Sequence, residues 1–235
     1  MAAVELAPGV WRIPTAGHFF NSFAFVDAAG AVTLVDAGLR GATRRIEAGL
    51  AAIGRRPEDV TRILVTHAHP DHIGSARTVR AHTHAPLAVH DEDASFVRQG
   101  RMPPRDATRP LARVASFVQR RQPRCDVDDT FSDGDLLPVA GGLRVLHTPG
   151  HTPGHCAFLH EPSGVLITGD AIMNVFGRRR WNFVASCTDY QMSRGTAERL
   201  GEADYDVAAF THGYEIRRGA REAVRAFLRR SARGR

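Results

Sequence analysis

Four ligand-type side chains fall within six residues in the run Thr66-His67-Ala68-His69-Pro70-Asp71-His72, directly after the apolar stretch 63–65. On a loop leaving a strand this is a poor arrangement for packing and a good one for metal, because neutral imidazoles and carboxylates suit zinc and other borderline divalent ions. The spacing lets one loop aim His67 and His69 at one ion while Asp71 and His72 turn to a second. Three further segments end apolar runs in the same way. In Thr148-Pro149-Gly150-His151-Thr152-Pro153-Gly154-His155, prolines and glycines stiffen a turn that presents His151. Thr168-Gly169-Asp170 and Thr211-His212-Gly213 offer one ligand each.

The elements that must position these segments alternate between strand and helix patterns. Residues 10–13, 19–26 and 31–35 read as an opening strand meander, in which Phe23 and Phe25 alternate with Ser22 and Ala24 as in a half-buried strand. Ala42, Ile46, Leu50 and Ile53 share one face of a helix that Gly54 stops. A buried strand at 63–65, a helix beginning near Asp71 and a strand at 87–89 follow. Residues 91–125 break the rhythm: Met102, Pro103 and Pro104 mark a loop, Leu111, Val114, Ala115 and Val118 mark a helix, and the stretch reads as an inserted lid or pocket wall. Strands are expected near 136–139, 143–147, 156–160, 165–168 and 207–210. Thr188 and Gln191 have the spacing of a capping box at a helix start. With no Gly/Ser linker and no repeat, the 235 residues are read as one domain.

Composition narrows the classes of function. A chain with 43% hydrophobic and 24% charged residues is neither disordered nor collagen-like. At this length it needs no metal merely to stay folded, so a metal site is expected to be functional. The net charge of +6 is concentrated at the C-terminus, where residues 217–235 hold eight arginines and one acid. Ala220, Ala223, Val224, Phe227 and Leu228 give that segment an apolar stripe, so the arginines read as a solvated helix face; no nucleic-acid or membrane partner is expected. All 31 basic residues are arginine, which excludes Schiff-base lysine chemistry. Cys125, Cys156 and Cys187 include no Cys-x-x-Cys pair, and the first fourteen residues lack the pattern of a signal peptide; a cytoplasmic protein with reduced thiols is expected.

The four ligand segments, in this order and with their Thr and Gly flanks, resemble the metallo-β-lactamase superfamily, and among its branches the hydroxyacylglutathione hydrolase (glyoxalase II)-like hydrolases. The resemblance runs from Val35-Asp36-Ala37-Gly38 to Thr211-His212-Gly213. It implies an α/β (α+β) fold, the four-layer αββα sandwich, with metals at the sheet edges. It also implies that His67, His69 and His151 hold a first metal, that Asp71, His72 and His212 hold a second, and that Asp170 bridges them. Two divalent ions are implied, zinc foremost, with iron or manganese as alternatives. Metallo-β-lactamases of one major type carry cysteine at the position of Asp170, and the related lactonases carry tyrosine at that of Met173. Glyoxalase II proper adds a glutathione-gripping helical domain, whereas 23 residues follow His212 here. Superfamily nucleases add long RNA-handling insertions.

The expected activity is a binuclear metal-dependent hydrolase acting on an ester, thioester or lactone of a small acyl compound, with hydroxide from a metal-bound water as nucleophile and Asp71 as catalytic residue. The alternative is a mononuclear iron dioxygenase acting on a persulfide. Asp36 and Asn21 are expected to fix ligand loops, and His155 to buttress its turn. His18, His82, His84, His90, His147 and His160 match no ligand motif. Arg178, Arg179 and Arg180, followed by Trp181 and Phe183, are read either as a solvated basic turn anchored by the aromatics or as an anionic-substrate reader.

Overall fold

The computed structural model describes residues 2–17, 19–106, 108 and 121–232. One sheet runs in the order β1 (Val4–Ala7), β2 (Val10–Ala16), β3 (Phe20–Val26), β4 (Val32–Val35), β5 (Val60–Val65), β6 (Leu87–His90) and β7 (Asp129–Phe131). Its first four strands pair antiparallel, and β4 to β7 pair parallel. The parallel crossovers are helical: α1 (Thr43–Ala52) precedes β5, while α2 (Pro70–Ile73) and α3 (Ala76–Thr83) precede β6. The helix α4 (Asp91–Gln99) follows β6. In the second sheet, β8 (Leu136–Leu137), β9 (Leu143–His147), β10 (Cys156–His160) and β11 (Val165–Ile167) are antiparallel, and β14 (Val207–Ala209) lies parallel to β11. A separate ribbon joins β12 (Met173–Val175) to β13 (Arg178–Arg180).

Three apolar clusters stack these elements into four layers. Ile46 and Leu50 of α1, Val79 of α3 and Val97 of α4 pack on Ala24, Leu34 and Ile63 at the outer face of the first sheet. Phe23, Phe25, Val35 and Leu64 meet Val145, Phe158 and Ile167 between the sheets. Beyond the second sheet, Leu166 and Phe210 are covered by Leu200 of α6 (Arg199–Glu202) and by Val224, Phe227 and Leu228 of α7 (Ala220–Ala232). The result is the αββα sandwich. Strands covered on both sides are buried on both sides, as β4 and β6 are throughout, Thr33 and His90 included.

This covering corrects the half-buried reading of β3. Ser22, Phe23, Ala24 and Phe25 are all buried, because the alternation sorts large side chains toward the intersheet core and small ones toward the helices. The opening meander also gains β1 at its edge. The helix expected after Thr188 is α5 (Tyr190–Thr196), and its cap lies one residue on: Asp189 accepts from the Met192 amide at 2.9 Å, while the Thr188 hydroxyl donates to Pro104 O. The stripe expected on α7 is buried at Ala220, Val224, Phe227 and Leu228. The stretch 91–125 opens with α4, whose Ala94 and Val97 are buried; the helix read from Leu111 to Val118 lies outside the described residues. Among the described residues no helix is long and apolar enough to cross a membrane.

Phe158 stands in the middle of the intersheet cluster and is fully buried. Phe158→Ala is expected to cost about 3–5 kcal/mol by opening a cavity that the two sheets cannot collapse around. The lowered midpoint of urea unfolding at unchanged m-value checks this.

Candidate metal centre

All four ligand segments leave strand ends at one edge of the sandwich. His67 follows β5 by two residues; His69 precedes Pro70, a position that disfavours helical backbone, and is extended at φ −112° and ψ 154°. Pro70 then opens the helical turn α2, which contains Asp71 and His72. One proline therefore divides the run, so that His69 projects from extended chain ahead of it and Asp71 and His72 from the helical turn after it. Gly169 and Gly213, beside Asp170 and His212, have φ of 53° and 111°. A Cβ at Gly213 would stand 1.9 Å from Asn174 O, and one at Gly169 would stand 2.7 Å from His155 Nε2. These flanks are glycine because no side chain fits.

The seven side chains converge as two groups, His67 with His69 and His151, and Asp71 with His72, Asp170 and His212; within each group the ligand atoms lie within 4.8 Å of one another. In the first group, His151 Nε2 is 2.8 Å from His69 Nδ1 and 3.1 Å from His67 Nε2. In the second, His212 Nε2 is 3.1 Å from Asp170 Oδ1 and 3.3 Å from Asp71 Oδ2, and His72 Nε2 is 3.3 Å from Asp170 Oδ1. The other oxygen of Asp170, Oδ2, is 3.4 Å from His151 Nε2 and 4.0 Å from His67 Nε2. One carboxylate thus faces both groups.

Buried partners aim the rings. Asp36 holds φ of +62° and accepts from the Thr66 amide at 2.8 Å, the Thr66 hydroxyl and His72 Nδ1 at 2.9 Å. Thr66 Oγ1 lies 3.1 Å from His67 Nδ1, and His212 Nδ1 lies 3.2 Å from Phe19 O. With each Nδ1 so engaged, His67, His72 and His212 present Nε2 to the centre. Asn21 donates through Nδ2 to Phe210 O and Gly213 O, tying the His212 loop to β3, the role expected of it. His155 accepts the Asp170 amide at Nε2 over 2.8 Å and sits 2.8 Å from the Thr148 hydroxyl, so it buttresses the turn as expected.

Two supporting residues escaped the sequence reading. Asn182 Nδ2 donates to Asp170 Oδ2 and O, both at 3.1 Å, and lies 2.8 Å from His151 Nδ1; its Oδ1 accepts from the Phe183 amide and Ser186 hydroxyl. Asp93 accepts from the Ala68 amide at 2.7 Å, the Thr152 hydroxyl at 2.7 Å and the Gly154 amide at 2.8 Å, and so clamps the His67 loop to the His151 loop. Helical spacing offered a signal for Asp93: it sits on the buried face of α4 with Ala94 and Val97, where an acid must have partners. Asn182 had none, since only folding brings it to Asp170.

Electrostatics and satisfaction both fit a bound cation. Burial, then the neighbouring imidazoles, hold His67 and His69 well below the usual histidine value, so their lone pairs stay available. Burial alone would also lower His72 and His212, but the Asp170 carboxylate and its neighbours outweigh it, raising His72 and pushing His212 up to about 9. Burial drives His155 down to about 3, which suits its acceptor role. His72 Nε2 and Asp170 Oδ1 are buried without a hydrogen-bond partner. Orphaned atoms of this kind, facing one another between ring nitrogens, are those a divalent ion satisfies.

The centre forms the floor of a cavity of about 260 Å³ walled by Phe19, Phe20, Leu39, Met102, Met173 and Phe183, with Arg105 and Asn182 at its polar points. None of Arg178, Arg179 and Arg180 lines it. They form β13, and Trp181 behind them packs on Phe227 at 4.8 Å and donates to Ser231 Oγ. Trp181 is thus the expected anchor; Phe183 is 69% exposed and faces the cavity instead. Of the remaining histidines, His82 pairs with Glu47 at the surface, His84 ends α3 in a left-handed turn, His90 stacks on His147 at 4.0 Å, and His160 lies 2.9 Å from Ala140 O. His18 lies outside the described residues.

An αββα sandwich with paired histidine and aspartate groups at its strand ends defines a metal-dependent hydrolase that binds divalent metal. The chain belongs to the metallo-β-lactamase superfamily, whose family model matches residues 16–212. It is 28% identical over 218 residues to the protein YobT of Bacillus subtilis strain 168, covering 89% of each. A hydroxyacylglutathione hydrolase of Cereibacter sphaeroides is 34% identical over 130 residues, which span 54% of this chain and 40% of that protein. The chain therefore spans less than half the length of that relative. Among solved structures, the metallo-beta-lactamase family protein TTHA1429 of Thermus thermophilus superposes with a TM-score of 0.72 at 27% identity, covering 97% of this chain and 81% of that one. The metallo-beta-lactamase SMB-1, at 18% identity and a TM-score of 0.74 over 100% of this chain and 96% of its own, shares the fold.

Partners that aim metal ligands typically control affinity by 10- to 100-fold. Asn182→Ala is accordingly expected to weaken metal binding by about that factor with the fold retained, as read by competition with a chromophoric chelator alongside circular dichroism.

Proposed function

We propose that the protein is a binuclear metal-dependent hydrolase that cleaves an ester, thioester or lactone of a small acyl compound. The observation that carries this reading is the position of Asp170, with Oδ2 toward His151 and Oδ1 toward His72 and His212. His67, His69 and His151 would hold one ion, Asp71, His72 and His212 the other, with Asp170 between. The nitrogen-rich donor set suits zinc first. A pair of divalent ions, when bound, polarises a carbonyl and lowers the pKa of water toward about 7. The similarity to proteins named hydroxyacylglutathione hydrolases supports acyl transfer to water as the reaction class.

The chain's own residues supply position and proton handling. In the net reaction a water oxygen adds to the carbonyl carbon and the bond from that carbon to oxygen or sulfur breaks. One proton of the water reaches the leaving atom, and the new acid releases its own to solvent. Asp71 lines the cavity beside His212 and is the one member of the two groups only partly enclosed. Burial would raise its pKa, yet His72 and His212 outweigh burial and hold it well below the usual carboxylate value. It therefore acts as an ionised acceptor that orients the attacking water and passes its proton on, rather than as a strong base. The apolar walls exclude competing water and strengthen every charge interaction inside.

Asp71→Ala is expected to lower kcat/KM on a panel of small esters, thioesters and lactones by about 100-fold or more with the fold intact. His82→Ala, an exposed residue paired with Glu47, is expected to leave it unchanged. Equal losses in both variants would misplace the site. Oxygen consumption on a persulfide, with no hydrolysis of any acyl substrate, would replace the hydrolase by the mononuclear iron dioxygenase.

A further inference from the structure

We infer that Cys187 is a positioning residue for the first ligand group: its sulfur accepts the Nδ1 proton of His151 and so leaves the Nε2 lone pair of that ring free for a metal. This rests on the reading of His151 as a metal ligand. A neutral imidazole carries one N–H and one lone pair, and the partner of one nitrogen decides which role the other takes. His151 turns Nε2 toward the shared carboxylate and the other histidines of its group, 3.4 Å from Asp170 Oδ2, 2.8 Å from His69 Nδ1 and 3.1 Å from His67 Nε2. For that nitrogen to ligate, Nδ1 must carry the proton and needs an acceptor. At His67, His72 and His212 an oxygen lies beside Nδ1. At His151 the atoms beside Nδ1 are Asn182 Nδ2 and Cys187 Sγ.

The amide is not the acceptor. Its Oδ1 is taken by the Phe183 amide and the Ser186 hydroxyl, and Nδ2 directs its hydrogens to Asp170 O and Oδ2. Nδ2 lies 2.8 Å from His151 Nδ1 and 3.2 Å from Nε2, so it stands off the axis of either ring nitrogen; a partner in line with Nδ1 would be much farther from Nε2. Cys187 Sγ, 3.5 Å from Nδ1, remains. Fully buried, this side chain stays a thiol, and its own proton goes to Phe183 O at 3.5 Å, which leaves the sulfur lone pairs to His151. Backbone register holds the pair together although 36 residues separate them. The Thr188 amide donates to His151 O at 3.1 Å and the Asp189 amide to Gly150 O at 2.8 Å, while Cys187 O accepts the Asp106 amide at 2.9 Å. Gly150 permits this approach, since a Cβ there would stand 2.2 Å from Ser193 N.

The test uses the full chain with zinc as the probe. Competition with a chromophoric chelator measures zinc affinity in the wild type, Cys187→Ala and Cys187→Ser, and proton–nitrogen correlation spectra of the zinc-loaded wild type read which nitrogen of the His151 ring is protonated. Cys187→Ala removes the acceptor and is expected to weaken zinc binding by about tenfold, the lower end of what partners of metal-ligating histidines control. Cys187→Ser keeps an acceptor for Nδ1 and a donor for Phe183 O, and is expected to bind zinc within about twofold of the wild type. A packing role alone gives the reverse order, because a buried site tolerates alanine better than a hydroxyl. The wild-type ring is expected to carry its proton on Nδ1. Unchanged affinity in Cys187→Ala, a loss in Cys187→Ser at least as large as in Cys187→Ala, or a His151 ring protonated on Nε2 each overturns the proposal. The last is read on the wild type and decides even where a variant fails to fold. A wild type that binds no divalent ion instead removes the metal-centre reading on which the inference rests.

Discussion

Asp170 is a carboxylate enclosed to 4% exposure, and an isolated charge in that position would cost several kcal/mol. The protein meets the cost by bringing imidazole nitrogens to both oxygens and an amide from Asn182 to one of them. Those partners come from the other three ligand segments and from the residues after β13, so the edge of the sandwich is organised around a single buried anion. The same requirement explains the glycines and threonines beside each ligand. Gly169 lets the backbone turn against His155, and Thr66 joins Asp36 to His67 and His72 in one network.

Precision of this kind needs rigid supports on both sides. The two sheets share an apolar core, and each is covered outside by helices, so strand ends cannot shift without disturbing packing. Asp93 and Asn21 then carry that rigidity into the loops, one tying the His67 loop to the His151 loop and the other tying the His212 loop to β3. Substrate-facing residues come from different parts of the chain. Phe19 and Phe20 lie at the start of β3, Met102 and Arg105 beyond α4, and Phe183 after β13. A common reaction centre is thus separated from the surfaces that select what reaches it.

The ligand segments were readable because their chemistry is local. A histidine-rich run after an apolar strand, or an aspartate between Thr-Gly and an apolar residue, can be recognised without knowing what it will meet. Most strands were readable for the same reason, although β2 and β5 extend three residues beyond their expected bounds and β1, β7, β12 and β13 were not read as strands. Tertiary partnerships were not. Nothing beside Asn182 announces that it will reach Asp170 twelve residues earlier, and Arg105 looks like any loop arginine until the fold brings it to the cavity wall. Of the two readings of the triple arginine, the solvated one fits the structure: Arg178 and Arg180 are exposed and none of the three lines the cavity. Likewise Phe23 and Ala24 showed the right period but the wrong exposure, since a sheet covered on both faces leaves no solvent side.

The central claim is that Asp170 joins two distinct ligand groups into one centre. Elemental analysis of the purified protein, paired with the same measurement on Asp170→Ala, tests it most directly. The account predicts close to two divalent ions per wild-type chain, with occupancy of both groups falling together in the variant because each loses a ligand. One tightly held ion per wild-type chain, iron above all, retained with its neighbours undisturbed, would contradict it.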